Sequence, residues 1–189
     1  LIHKSFKLLA RDPYFPVAMV GGALFLMMVR DYAPFPQRVE KIAARLEKVN
    51  RFLNRSRTLI GNRPRPDKLW TKLAIKSTRS LPALLDVIEQ VARESPEVPM
   101  ELKKRVSKAV AKGKKAISRH LKWLEQEVLP KAKPNQWVFG KTRFERLLRI
   151  RELGLTSDEI RELGLKLLQQ GKRKLRRLCK LLNPSVPVK

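Results

Sequence analysis

Residues 100–129 read MELKKRVSKAVAKGKKAISRHLKWLEQEVL, and their spacing decides the fold class. Leu102, Val106, Val110, Gly113, Ile117, Leu121, Leu124 and Val128 recur at steps of three and four residues, which stacks them on one face of an α-helix. The opposite face is cationic: residues 102–122 carry nine Lys or Arg and no Asp or Glu. An apolar seam of helical period under a basic exterior predicts a buried helix in a protein that meets a polyanion. Gly113 lies on the seam, where a missing side chain points to close approach of a neighbouring backbone.

The same period recurs along most of the chain. Pro36–Ile60 puts Val39, Ile42, Leu46, Val49 and Leu53 on one stripe. Further helices are predicted around Lys68–Ser77, over Leu81–Glu94 (Leu84, Leu85, Ile88 and Val91), near Lys141–Leu153 and over Ser157–Leu182. The last aligns Ile160, Gly164, Leu167, Gly171, Leu175, Leu178 and Leu182, with its glycines expected on the packed side. Prolines fall between these segments, in GNRPRP (61–66), SPEVP (95–99) and PKAKPNQW (130–137), and strand-like alternation is absent. Helices of this length on short loops predict an all-α, antiparallel helical bundle or array with basic extended loops. One domain over residues 1–182 and a tail at 183–189 are expected. FPVAMVGGALFLMMV (15–29) is short for a membrane span and is interrupted by Gly21-Gly22, so it reads as a buried helix rather than an anchor. A start at Leu1 rather than Met leaves room for a segment upstream, and no targeting signal is inferred.

Composition narrows the partner. The 189 residues are 43% hydrophobic, enough for a core, and 43 Lys+Arg against 17 Asp+Glu give a net charge of +26. Such a charge repels itself and calls for a counter-charge, nucleic acid first and an anionic membrane or other polyanion second. Cys179 is the single cysteine. It excludes an intrachain disulfide, fits a reducing, cytoplasmic setting, and reads as a small apolar residue on a helix face.

RELGLTSDEIRELG (151–164) holds the densest cluster of acids. Thr156 with Glu159 fits a capping box, Asp158 and Glu159 suit the positive end of the helix dipole, and Gly154 suits the residue that ends the preceding helix. This segment also carries a family resemblance. WVFGKTRFERLLRIRELGLTSDEIRELGLKLL (137–168) and RDYAPFPQRVEKIAARLEKVNRFL (30–53) resemble the helical family called domain of unknown function eight-eight-five, over about residues 12–180. Val138 or Phe139, Gly140, Phe144, Leu147, Leu148, Gly154, Leu155, Asp158, Glu159, Ile160 and Gly164 match its pattern. The resemblance implies a scaffold like that of zinc-dependent carboxypeptidases, whose much longer chains carry His-Glu-x-x-His in their later part. Two His four residues apart would bind the metal and the Glu would act as base. Here the only histidines are His3 and His120, so no catalytic residue carries over, and neither metal nor cofactor is expected.

A peptidase-like core with a recharged surface suggests a scaffold turned to polyanion binding. The expected function is non-catalytic binding of structured RNA through its phosphates, as a component or associate of the ribosome, with RNA favoured over DNA. Candidate contacts are Arg63, Arg65, Lys68, Lys103, Lys104, Lys112, Lys114, Lys115, Lys172, Arg173, Lys174, Arg176 and Arg177. The Arg-Pro run within NRSRTLIGNRPRPDK (54–68) would give a stiff segment able to follow folded RNA. Trp70, Trp123 and Trp137 lie near apolar neighbours and read as packing residues, and His120 reads as structural. No ribonucleoprotein signature, zinc finger or basic zipper is present. Two other classes remain open: a detached N-terminal part of a zinc-peptidase-like enzyme that needs a separate catalytic chain, and a sequence-independent DNA-packaging protein. Apolar surface left by the absent helices predicts an oligomer or docking on a large assembly, ribosomal proteins among the neighbours.

Overall fold

The computed structural model describes residues 12–61, 66–136, 138 and 140–182. Its helices are α1 (Tyr14–Val29), α2 (Phe35–Gly61), α3 (Lys68–Glu94), α4 (Met100–Trp123), α5 (Lys141–Ile150) and α6 (Ser157–Leu182). No strand occurs among the described residues, so the chain is an all-α helical array. Contacts gather it into two compact units that divide between residues 137 and 138.

The first unit packs α1–α4 around one core. Gly21 of α1 meets Leu81 of α3, and Arg105 of α4 reaches Glu47 of α2. Helices joined by short loops run antiparallel, as the pairs Lys103–Arg93 and Lys114–Asp86 show for α3 and α4. The most extensive pairing, α2 with α4, is between non-consecutive helices and is parallel: Arg105 sits at Glu47, and His120 farther along sits at Arg57. The expected α2 stripe of Val39, Ile42, Leu46, Val49 and Leu53 is buried. Val106, Val110, Gly113, Ile117, Leu124 and Val128 of the α4 segment are buried in the same core, with Leu102 and Leu121 half-buried beside them. Each such aliphatic side chain stabilises the fold by about 1.5–3 kcal/mol.

Three local expectations are corrected in the first unit. Lys68–Glu94 is one helix, not two, and it runs through Pro82. Its buried face continues without a change of phase through Thr71, Ala74, Ile75, Thr78, Leu81, Leu85, Ile88 and Ala92. The two threonines hide that continuity in the sequence, yet their hydroxyls are satisfied by donating to Asp67 O and Ala74 O, both at 2.6 Å. Second, α4 rewinds into a π turn at Leu124–Val128 and a 3₁₀ turn at Leu129–Lys131, which keeps Leu124 and Val128 buried up to Pro130. Third, a Cβ on Gly113 would stand 3.3 Å from Leu85 Cδ1 and 3.5 Å from Leu46 Cδ2. Side chains, not a backbone, use that space.

Arg38 ties the α1–α2 corner. Its guanidinium donates to Met28 O at 3.0 Å and Arg30 O at 3.1 Å, pairs with Asp31 at 2.8 Å and lies over Phe35. The two Pro-rich basic connections meet as well. Lys68 N–H donates to Lys133 O, and Lys133 N–H donates to Pro66 O, both at 2.9 Å.

In the second unit α5 stops at Ile150, earlier than expected, through a Schellman closure. Leu153 N–H reaches Leu148 O at 3.1 Å, and Glu152 rather than Gly154 takes the left-handed position, at φ 56°. The capping box forms as predicted: Thr156 N–H donates to Glu159 Oε2 at 2.7 Å, and Glu159 N–H to Thr156 Oγ1 at 3.3 Å. The predicted α6 stripe is present but not packed. Gly164 and Gly171 have open space around them and the leucines of the stripe are exposed. The second unit is too small to cover it, because only α5 accompanies α6 there.

Candidate nucleic-acid interface

The nine cations of residues 102–122 sort into two sets on α4. Lys103, Arg105 and Lys114 turn towards neighbouring helices. Lys103 Nζ donates to Arg93 O at the end of α3 at 2.7 Å, Arg105 grips Glu47 of α2 through Nε and Nη2 at 2.8 and 3.0 Å, and Lys114 pairs with Asp86. That bidentate grip holds the Glu47 carboxyl below and the Arg105 guanidinium above their ordinary ranges. The other six, Lys104, Lys108, Lys112, Lys115, Arg119 and Lys122, are exposed and follow one another at steps of three and four residues. They form one row along the outer face of α4, about 27 Å long at 1.5 Å per residue. Within the row Lys104 also meets Glu101 at 3.0 Å and Arg119 meets Asn50 at 3.0 Å. Ser107, Ala111 and Ser118, all exposed and small, lie along its edge and leave the lysines unobstructed.

This geometry divides the sequence candidates. Lys104, Lys112 and Lys115 belong to the row, whereas Lys103 and Lys114 serve the α3–α4 contact. Lys108, Arg119 and Lys122 belong to it and were missed, although counting in threes and fours from Lys104 reaches them. Lys68 opens a second row on α3 with Lys72, Lys76 and Arg79, all exposed. The last three line an open basin of about 600 Å³ in which Arg79 pairs with Glu125 at 2.6 Å. Arg63 and Arg65 lie outside the described residues. In the second unit Lys172, Arg173, Lys174, Arg176 and Arg177 are all exposed on α6. None of these five makes an ion pair among the described residues.

Three acids of the second unit, Glu145, Asp158 and Glu159, are occupied locally. Glu145 accepts the Ser157 N–H at 2.9 Å and the Ser157 hydroxyl, while Asp158 accepts from Lys141 Nζ at 2.7 Å. Hydrogen bonds from Ser157, Lys141 and Thr156 hold Glu145, Asp158 and Glu159 respectively below the usual carboxylate range.

His120 is buried beneath the row, its ring 5.3 Å from that of half-buried Trp123. Arg57 Nε donates to His120 Nδ1 over a long 3.5 Å, which assigns the imidazole proton to Nε2. Burial first, and the nearby Arg57 charge second, lower its pKa from 6.5 to about 4. The ring is therefore neutral at physiological pH and serves packing rather than phosphate binding. Trp70 is half-buried at the α3 start, where its backbone N–H donates to Asp67 Oδ1 at 2.9 Å, and Trp137 lies outside the described residues.

Among the described residues no group of three or more His, Cys, Asp or Glu could hold a metal ion. No helix there is long and apolar enough to cross a membrane. Exposed cations in rows can bind phosphates in series, and phosphate contacts alone do not distinguish bases. No curated protein and no solved structure matches the chain significantly. Residues 7–186 match the family described as "Bacterial protein of unknown function (DUF885)", and the chain belongs to that family.

Proposed function

We propose that this chain binds structured RNA through phosphate contacts, without catalysis, as a component or close associate of the ribosome. The observation that carries this reading is the α4 row, six exposed cations on one helix face beside a net charge of +26. Neutralising several phosphates together releases their counter-ions, which supplies affinity without sequence reading. Cations on an inflexible helix suit a folded RNA whose phosphates are already fixed in place, and the lack of any base-reading motif fits recognition by shape. The α3 row and the α6 cations extend the same chemistry.

Sedimentation of the native protein through a sucrose gradient tests this reading. At low salt the protein should travel with ribosomal particles, and ribonuclease should release it. A protein that stays at the top of the gradient under those conditions is not a ribosome component.

A second reading, which rests on the resemblance to zinc-dependent carboxypeptidases, makes the chain one part of a peptidase-like assembly. Its mark would be a co-purifying chain that carries His-Glu-x-x-His. DNA packaging differs in its preference for duplex DNA over folded RNA in direct competition.

A further inference from the structure

We propose that α6 docks in the plane of an anionic lipid bilayer, with its leucine stripe in the outer acyl region and its cations on the headgroup phosphates. The helix spans 26 residues, about 39 Å. Along it Leu167 and Leu175 are 56% and 57% exposed, and Leu178 is 47% exposed. Helices in water draw most of their stability from packing an apolar face, and within its unit only α5 packs against α6.

The charge pattern selects the occupant. From Leu163 to Leu182 there are seven cations and no acid, so a second copy of α6 would set like charges against each other. An anionic surface removes that repulsion. Lys174 stands one turn from Leu178 and Lys172 one turn from Leu168, so cations border the stripe on both edges. From there the long stems of Lys and Arg reach headgroups while leucine sinks below them. A basic polar face, a leucine face and low overall hydrophobicity are the marks of a helix that lies in an interface rather than crossing it. Gly164 and Gly171 keep the middle of the stripe shallow, and Cys179 sits half-buried at its edge. This docking leaves the α4 row free for RNA, but at the membrane the α6 cations meet lipid phosphates in place of RNA phosphates.

The test is flotation of the nuclease-treated full chain with vesicles of phosphatidylcholine alone or of phosphatidylcholine with phosphatidylglycerol. Binding to the anionic vesicles should be at least about tenfold tighter and should weaken with salt. A dye on Cys179 should shift to the blue on docking. The triple variant Leu167→Gln, Leu175→Gln, Leu178→Gln keeps helix-forming residues at exposed sites, so circular dichroism should be unchanged. It should bind the anionic vesicles at least about tenfold more weakly and bind RNA as before. A triple variant that floats like the wild type, a wild type that floats with neither vesicle, or a dimer that the leucine substitutions dissolve would each overturn the docking. If the wild type floats but binds no RNA, the RNA reading fails alone.

Discussion

Lys114 of α4 closes on Asp86 of α3 in an ion pair, and this takes it out of the row to which its neighbour Lys115 belongs. Two adjacent lysines thus have different tasks. Replacing Lys112 and Lys115 together by Glu should weaken RNA binding by roughly tenfold or more, since two phosphate contacts become repulsive. Lys114→Gln should leave RNA affinity within about twofold and slightly loosen the α3–α4 contact. Filter binding and denaturant midpoints of the two variants check this directly. Equal RNA losses in both would mean that the row is not a distinct surface.

His120 makes the first unit sensitive to mild acid. Its folded pKa of about 4 lies below the unfolded 6.5, so between those values the unfolded chain binds more protons. Stability should be fully present above about pH 6.5 and fall by roughly 3 kcal/mol as the pH drops towards 4. Denaturant unfolding across that window measures the slope. His120→Phe should flatten it, because nothing at that position then titrates; an unchanged slope would place the acid sensitivity elsewhere.

The start of α6 should respond at lower pH. Glu145, Asp158 and Glu159 are held below the ordinary carboxylate range by hydrogen bonds they accept. Depressed carboxylates stabilise the fold above their unfolded pKa values, and that contribution is lost as the pH falls through the folded ones. Protection of the Ser157 and Glu159 amides from hydrogen exchange should therefore decline below about pH 4. Thr156→Ala, which removes one side of the capping box, should lower the same protection at neutral pH.

Much of this fold was legible because α2 and α4 bury aliphatic residues at uninterrupted helical spacing. The α3 helix looked like two, since Thr71 and Thr78 put hydroxyls on its buried face and Pro82 removes a donor. Nothing in LEQEV announces a π turn, whose reason is the depth at which Leu124 and Val128 sit in the core. Glu152 in a left-handed position was equally hidden, because Gly154 two residues later is the better local candidate. For the interface, composition located the cations but could not orient them. Lys103, Arg105 and Lys114 turn inward only because Arg93 O, Glu47 and Asp86 arrive from other helices. Lys108, Arg119 and Lys122 follow from helical spacing alone.

The most direct test of phosphate binding by the α4 row is the salt dependence of affinity for a folded RNA, wild type against Lys112→Gln/Lys115→Gln. The wild type should lose affinity steeply as salt rises, and the variant's log–log slope should be shallower by about one for each lysine removed. A flat wild-type profile, or a variant with the wild-type slope, would contradict it.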